Sequence, residues 1–318
     1  MNGDCFECMS QIPDKSVDFV LCDPPYGTMK GANIGNFNSA EWDVTLDTDK
    51  LFTELRRVCR HNAKVVLFCQ EPYTTELINH SDSYMQFCQK AVWLKNNAGN
   101  SLSCRASLVQ LVEDILIFRV HNLIVKDFIS RIDEVRTRIE TIGVNRVAHI
   151  MMTDGRYNSF ATAKKSLYKK ISVTQLSYGS FFDERLYTII DREIGMPYPW
   201  EEYERRVQEI KSSTESVFNL PEGVKSKTNV FKFPKDRTHF HPTQKPVALL
   251  EDIIKTYSHE GDLVLDFTMG SGSTIVACAN TGRRGIGIER NRDFYSIAEK
   301  RVRDASASMQ GVLNFEFS

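Results

Sequence analysis

The sequence predicts an α/β fold, a mostly parallel sheet with helices on its faces, into which a small helical domain is inserted. Three observations predict it. Short apolar runs alternate with helical patterns from residue 16 to about 120, and the same texture returns at Pro246. Between them, helical periodicities follow one another with no comparable strand run before Asn229. The expected domains are 1–121 and 237–318, two halves of one unit, around an insertion at 122–236.

Taken in order, Val17, Phe19, Val20, Leu21 and Cys22 form a buried strand that Pro24 and Pro25 stop, because proline has no N–H to give a ladder. Residues 51–60 read as helix and 64–69 as a second strand, so the three elements make a βαβ unit and imply parallel pairing. Residues 91–94 and 114–118 are further strands. In the insertion Phe128, Ile132, Val135, Ile139 and Ile142 recur at steps of three and four, the stripe of an amphipathic helix that Gly143 ends. Helices are expected at 146–152, 160–170, 184–194 and 201–210. After Pro246 come a helix over 247–257, a strand over 262–267, a helix over 274–280, a strand over 285–289 and a helix over 292–302.

Hydrophobic residues make up 42% and charged residues 25%, the composition of a globular protein with a full core. A net charge of −1 excludes a polycation, so any affinity for nucleic acid has to come from a local patch. No run approaches the roughly 20 apolar residues that span a bilayer. The start lacks a signal peptide's basic and apolar regions, so a cytoplasmic protein without membrane association is expected. Cys22, Cys69, Cys88 and Cys278 stand in apolar runs and read as reduced core residues. Cys5 and Cys8 form a Cys-x-x-Cys with no second pair to complete a zinc site, and no metal is expected.

Chemistry is concentrated at three places. Asp23-Pro24-Pro25-Tyr26 follows the first strand, at the end where open α/β sheets bind ligands. Its groups suit an amine acceptor. An exocyclic base amine is a weak nucleophile whose hydrogens must be held before it can attack, and the Asp23 carboxylate and Pro24 carbonyl can hold them, preorganised by the proline φ angles. Tyr26 can stack on an extruded base. A plain strand-ending turn reads equally well from this tetrapeptide alone. The second place is the turn Asp266-Phe267-Thr268-Met269-Gly270-Ser271-Gly272 between a strand and a helix, with Glu289 ending the next strand, 23 residues after Asp266. Glycines allow close approach and the acid can accept from ribose hydroxyls, but neither the dinucleotide fingerprint nor a P-loop lysine is present. The ligand expected is a nucleoside without a pyrophosphate, such as S-adenosylmethionine. The third is His241-Pro242-Thr243-Gln244-Lys245-Pro246, where Thr243 and Lys245 could meet that cofactor's carboxylate.

Together these segments resemble the amino-methyltransferases of DNA in their permuted β arrangement, with catalytic tetrapeptide first, target recognition second and cofactor half last. Gly3-Asp4, Trp42-Asp43 and Glu113-Asp114 add to a likeness with phage-type members. The resemblance implies a Rossmann-like S-adenosylmethionine-dependent methyltransferase sheet. Asp23, Pro24, Pro25 and Tyr26 would be catalytic. Asp4, Cys5, Phe6, Asp23, Thr243, Lys245, Asp266, Phe267, Gly270, Gly272, Ser273, Thr274 and Glu289 would bind the cofactor. The methyl acceptor would be adenine N6, with cytosine N4, or a relative without catalysis, as alternatives. Double-stranded DNA is the implied partner, with a homodimer and a cognate restriction enzyme as further candidates. The family has a strand before its Gly-Asp pair, and the alternating tail at 311–317 is expected to supply it.

Basic charge gathers in the insertion, where residues 121–236 hold nineteen Lys and Arg against sixteen Asp and Glu. Arg156, Lys164, Lys165, Lys169 and Lys170 lie in a stretch without acids, and 145–170 reads as helix, turn, helix. A DNA-contacting role and a solvated basic helix both fit it. The glycine- and asparagine-rich stretch 27–39 could close over an extruded base or merely connect.

Overall fold

The computed structural model describes residues 1–318 except 28–42, 100–107, 109, 122, 154, 156, 172–181, 214–216, 237, 239, 242 and 316–318. The chain divides into two compact units, one made of Met1–His121 with Ser216–Ser318, the other of Asn122–Glu215.

The first unit is built on a seven-stranded sheet. In chain order its strands are β1 (Val17–Cys22), β2 (Cys59–Cys69), β3 (Met85–Gly99), β4 (Gln110–Val120), β5 (Val230–Lys232), β6 (Leu263–Asp266) and β7 (Arg284–Gly287). They lie in the order β5-β3-β4-β2-β1-β6-β7. Only the pairings of β4, with β2 and with β3, are antiparallel. The expected βαβ unit is present: α2 (Thr48–Val58) joins β1 to a parallel β2, with Val20 beside Val65.

Alternation along each strand sends side chains to two faces. Val20, Cys22, Val65, Leu67, Leu116 and Phe118 join Leu51, Phe52 and Leu55 of α2 in one core. Phe19, Leu21, Val66, Phe68, Ile115 and Ile117 join Leu249, Leu250, Ile253 and Ile254 of α9 (Val247–Tyr257) in the other. Runs apolar on both sides mark strands buried on both faces, which fits a sheet covered twice by helices.

Three expectations are corrected. The tail does not form a strand: 311–315 continue the helix α11 (Arg292–Phe315), and Asn2 bridges Glu289 in parallel beside β7 instead. Extending an existing helix adds one hydrogen bond per residue without a new nucleus, which outweighs a short alternating pattern. The insertion ends at 215, not 236, because the following segment is fastened to the sheet unit. Asn219 Nδ2 donates to the Lys255 and Ser258 carbonyls at the end of α9, 2.9 Å each, Lys227 pairs with Asp252 at 2.7 Å, and β5 adds to β3. Cys88 is exposed rather than core, since the register of β3 slips between Phe87 and Gln89.

The second unit holds α4 (Leu123–Ile142), α5 (Val144–Thr153), α6 (Phe160–Ile171), α7 (Glu184–Ile194) and α8 (Trp200–Ser213). The stripe read from the sequence is its core: Phe128, Ile132, Val135 and Ile139 are buried, and Ile142 alone of the five faces outward. Gly143 takes a φ of +103°, ending α4. α5 and α6 contribute Val147, Ala148, Met151, Ala163 and Leu167 to that core. Tyr203 is its aromatic centre, within 5.1–6.2 Å of the rings of Phe128, Phe182, Tyr187 and Trp200. Among the described residues no helix is long and apolar enough to cross a membrane.

Tyr203 is fully buried and its hydroxyl accepts the Phe182 N–H at 2.8 Å. Tyr203→Ala should therefore destabilise the helical unit by about 3–5 kcal/mol. Amide exchange should accelerate at least a hundredfold in α4 and α7 and stay unchanged in β1 and β6. Uniform acceleration in both units would show that they unfold as one.

Candidate active site

The site exists because β1 and β6 are neighbours. Phe19 pairs with Val264 and Val20 with Leu265, so the turn after each strand emerges at the same edge. Thr268 Oγ1 donates to the Asp23 carbonyl at 3.1 Å and lies 2.9 Å from Cys22 Sγ, tying the two turns together. Between them lies a cavity of about 670 Å³. It is lined by Asp4, Cys5, Asp23, Pro24, Pro25, Tyr26, Thr243, Lys245, Asp266, Phe267, Gly270, Ser273, Thr274 and Glu289, all expected from the sequence. Asp43, His241, Gln244 and Phe294 line it as well and were not.

On the β1 side the tetrapeptide is held by its backbone. Asp43, 2% exposed, accepts the Tyr26 and Gly27 N–H groups at 2.8 and 3.0 Å through one oxygen. The Tyr26 hydroxyl donates to Asp23 Oδ1 and also lies 2.9 Å from Glu113 Oε1. The Lys245 ammonium sits 2.5 Å from Asp23 Oδ2 and 2.7 Å from Glu113 Oε1, and Lys95 pairs with Glu113 Oε2 at 2.7 Å. Two carboxylates and two ammonium groups thus form one nearly closed cluster.

The two acids are not equivalent. Burial pushes Asp23 up against the pull of Lys245, and the neighbouring Glu113 charge adds to the rise. Burial also works against the Glu113 carboxylate, but Lys245 and then Lys95 outweigh it and bring its pKa down to about 2. For Lys245, burial opposes the charge and the two carboxylates more than restore it. Burial and the same two acids raise Tyr26 well above the usual phenol range, so it stays a donor.

On the β6 side Gly270, at φ +52°, brings backbone into the cavity and donates to Glu289 Oε2 at 2.9 Å. Glu289 Oε1 accepts from the Asn291 N–H at 2.6 Å. Asp266, 2% exposed, accepts the Thr268 N–H at 3.1 Å; burial raises it to about 6 despite hydrogen bonds from Thr274, Cys22 and Thr268. Asp4 caps α1 (Cys5–Met9) by accepting the Phe6 N–H at 2.9 Å while facing the cavity. The His241 ring packs on Phe294 at 4.3 Å, and burial lowers it to about 4, so it is neutral near pH 7. Its Nδ1 lies 3.1 Å from the Thr243 hydroxyl. From behind, Arg301 donates to the Ser271 carbonyl at 2.6 Å and braces the turn.

Several expected residues are placed differently. Lys245 reaches Asp23 and Glu113 rather than standing free for a cofactor carboxylate. Gly272 does not line the cavity: at φ +80° a Cβ there would stand 2.7 Å from the Ala298 Cβ, so this glycine lets α11 pack on the turn. Phe6 packs on the core with Lys50 over its ring at 4.3 Å. Cys5 does line the cavity but is mostly buried, and burial pushes its thiol up to about 11. Lys164 is half-buried and Lys165 exposed on α6. Arg156, the side chains of Lys169 and Lys170, and the stretch 28–39 lie outside the described residues. Among the described residues no group of His, Cys, Asp and Glu could hold a metal.

Glu113 joins the Asp23 cluster although motif reading did not single it out as a site residue. Its signal was the acidic pair Glu113-Asp114 at the head of the apolar run 115–118, where burial is costly for an acid unless it is paired.

A Rossmann-like sheet that carries the Asp23 turn on β1 and a glycine turn on β6 to one cavity matches known methyltransferase folds. A family model described as DNA methylase, of the N6 and N4 type, matches residues 17–300, and the chain belongs to that family. Among relatives, it is 47% identical over 62 residues to the type II methyltransferase M.HpaI of Haemophilus parainfluenzae, covering 20% of each chain. It is 42% identical over 83 residues to the DNA adenine methyltransferase YhdJ of Escherichia coli K12, covering 24% of this chain and 28% of YhdJ. The chain thus spans less than a third of either relative. The fold matches the structure of M1.HpyAVI in complex with SAM at a TM-score of 0.51, with 20% identity over 95% of this chain and 98% of that one.

The raised Asp266 carries a stability consequence. Its pKa is 3.8 ordinarily and about 6 here, so the neutral acid favours the fold below about pH 4, and that advantage is lost as pH rises through 6. Asp266→Asn should be more stable than the parent by about 1–2 kcal/mol at pH 8, and the difference should vanish at pH 4 in urea unfolding. An equal difference at both pH values would show that the charge is not the cost.

Proposed function

We propose that this protein is a DNA methyltransferase that uses S-adenosylmethionine to methylate the N6 amino group of adenine, on a base turned out of the duplex. The observation that carries the reading is the juxtaposition of the Asp23 acceptor with the Asp266–Glu289 carboxylates in one cavity of about 670 Å³. That size suits a nucleoside cofactor with room for a base.

The residues fit the cofactor. Asp266, Glu289 and Asp4 offer carboxylates to hydroxyl and amine donors, and the turn at Gly270 allows close approach without a phosphate-binding lysine. Bound there, S-adenosylmethionine supplies a methyl group already made electrophilic by its sulfonium. The chain's part is to hold and shield. Asp23 and the Pro24 carbonyl accept hydrogen bonds from the amine, which loses one proton after the methyl arrives, by way of Asp23 to solvent; Tyr26 positions the Asp23 carboxylate. Asp at the first position of the tetrapeptide and the likeness to an adenine methyltransferase favour adenine. The segment order, tetrapeptide before glycine turn, supports the β arrangement.

The helical unit is assigned to DNA contact, and to target recognition, on the local basic charge of α6 and not on its total, since residues 122–215 hold fifteen Lys and Arg against fourteen Asp and Glu. α6 carries Lys164 and Lys165, with Ser159 and Thr162 exposed at its start. The Ser166 hydroxyl lies 2.6 Å from that of Tyr157, and those of Ser159 and Thr162 lie 2.8 Å from each other.

Asp23→Ala should still bind S-adenosylmethionine measurably in calorimetry, through Asp4, Asp266 and Glu289, while N6-methyladenine in treated DNA disappears from nucleoside mass analysis. N4-methylcytosine from the parent would replace the adenine assignment, and no methylated base at all would end the reading. Replacing Lys164 and Lys165 with Ala should weaken DNA binding and reduce the slope of log K against log salt by about 1–2. An unchanged slope would remove α6 from the interface.

A further inference from the structure

Glu113 is a buried charged group that the proposed reaction leaves unused. It stands on β4 opposite Trp93, 4% exposed, two strands from β1. It holds Lys95 with one oxygen, and with the other it reaches both Lys245 and the Tyr26 hydroxyl. Asp23 is correspondingly occupied: Tyr26 takes one oxygen and the Lys245 ammonium sits on the other. The acceptor that should grip the target amine is already gripping an amine.

We propose that Lys245 is a stand-in for the target amine, resting on Asp23 in the free protein and passed to Glu113 when the base enters. Glu113 is then a positioning residue that frees Asp23. The inference rests on the amine-acceptor reading of Asp23 given above.

The geometry makes the transfer short. Lys245 already touches both acids, at 2.5 and 2.7 Å, so its three N–H donors need only redistribute. The ammonium stands over the ring of Phe68, on the intervening strand β2, 5.1 Å from the centroid. An aromatic face attracts a cation without fixing its direction, so it supports a sliding charge. Charge explains why the move is needed. An ammonium beside Asp23 cancels the acceptor's charge and occupies the space of an incoming amine. On Glu113 the same ammonium stays paired and buried, which avoids the heavy cost of an unpaired interior charge. The resting contact has its own use, since it keeps a half-buried Asp23 satisfied until substrate arrives.

The test compares Glu113→Gln, Lys245→Met and the double variant, with S-adenosylmethionine affinity measured by calorimetry and methyl transfer by single-turnover kinetics on a DNA duplex. Without Glu113, Lys245 has only Asp23 to rest on. Glu113→Gln should therefore slow transfer by about 10- to 100-fold, the range for losing a charge-assisted hydrogen bond. Cofactor affinity should stay within about twofold. Removing the trapped cation should restore speed, so the double variant should be faster than Glu113→Gln alone. Should Glu113→Gln fail to fold, Glu113→Asp draws the charge back by one methylene, and its pairing with Lys245→Met should show the same order. A double variant as slow as or slower than the Glu113 single variant would overturn the transfer. So would unimpaired Glu113→Gln. A parent protein that binds cofactor yet methylates no DNA would instead sink the underlying reading.

Discussion

The pairing of β1 with β6 is the constraint on which everything else rests. Val20 and Leu265 are partners across some 245 residues of chain, and closing a loop of that length costs about 5 kcal/mol. Burying Val264, Leu265 and Phe267, each no more than 1% exposed, returns roughly 1.5–3 kcal/mol apiece, enough to offset it. Polar contacts then fix the register at both ends. At the amino ends Asp18 accepts the Leu263 N–H at 2.7 Å and pairs with Arg60 at 3.0 Å, and at the carboxyl ends Thr268 donates to Asp23. A slip of one residue would turn every apolar side chain of β6 to the other face and carry the glycine turn away from the tetrapeptide.

With the register fixed, the site becomes a problem of keeping acids buried. Glu113 and Asp266 are buried, Asp23 and Glu289 half-buried, and each is satisfied by different means. Glu113 has two ammonium groups and is strongly acidic; Asp23 shares one and is raised. Glu289 relies on the backbone amides of Gly270 and Asn291. Asp266 has mainly neutral donors and is raised to about 6. The differences follow from the donors rather than the residue type, because a full opposite charge offsets desolvation where a neutral hydrogen bond does so only in part. Under the proposed reaction this division is useful: the acids left without a cation lie where a cationic cofactor would bring one.

Most of the fold was legible because it rests on period. Nearly continuous apolar runs at 17–22 and 64–69 predicted strands buried on two faces, and the four-three stripe from Phe128 to Ile139 predicted the core of α4. What period could not supply was partnership. The tail at 311–317 alternates as a strand should, yet the place beside β7 goes to Asn2 and the helix before the tail runs on. The segment after 216 has no period at all; it belongs to the sheet unit through single contacts such as Asn219 on the end of α9, which no window of sequence displays.

In the site, legibility divided along the same line. Residues whose role is set by backbone were placed from sequence: the proline-stiffened turn at Asp23, and Gly270 at the edge of the cavity. Residues whose role is set by a long side chain were not. A lysine reaches about 6 Å from its Cα, so Lys245 could serve either wall of the cavity, and only the presence of a second acid on β4 decides which. Gly272 shows the converse, since a glycine in a ligand turn can be required by the helix behind it rather than by the ligand in front. Motif spacing fixes which strands meet; the direction of a flexible charge is fixed by whichever counter-charge burial has left most in need of it.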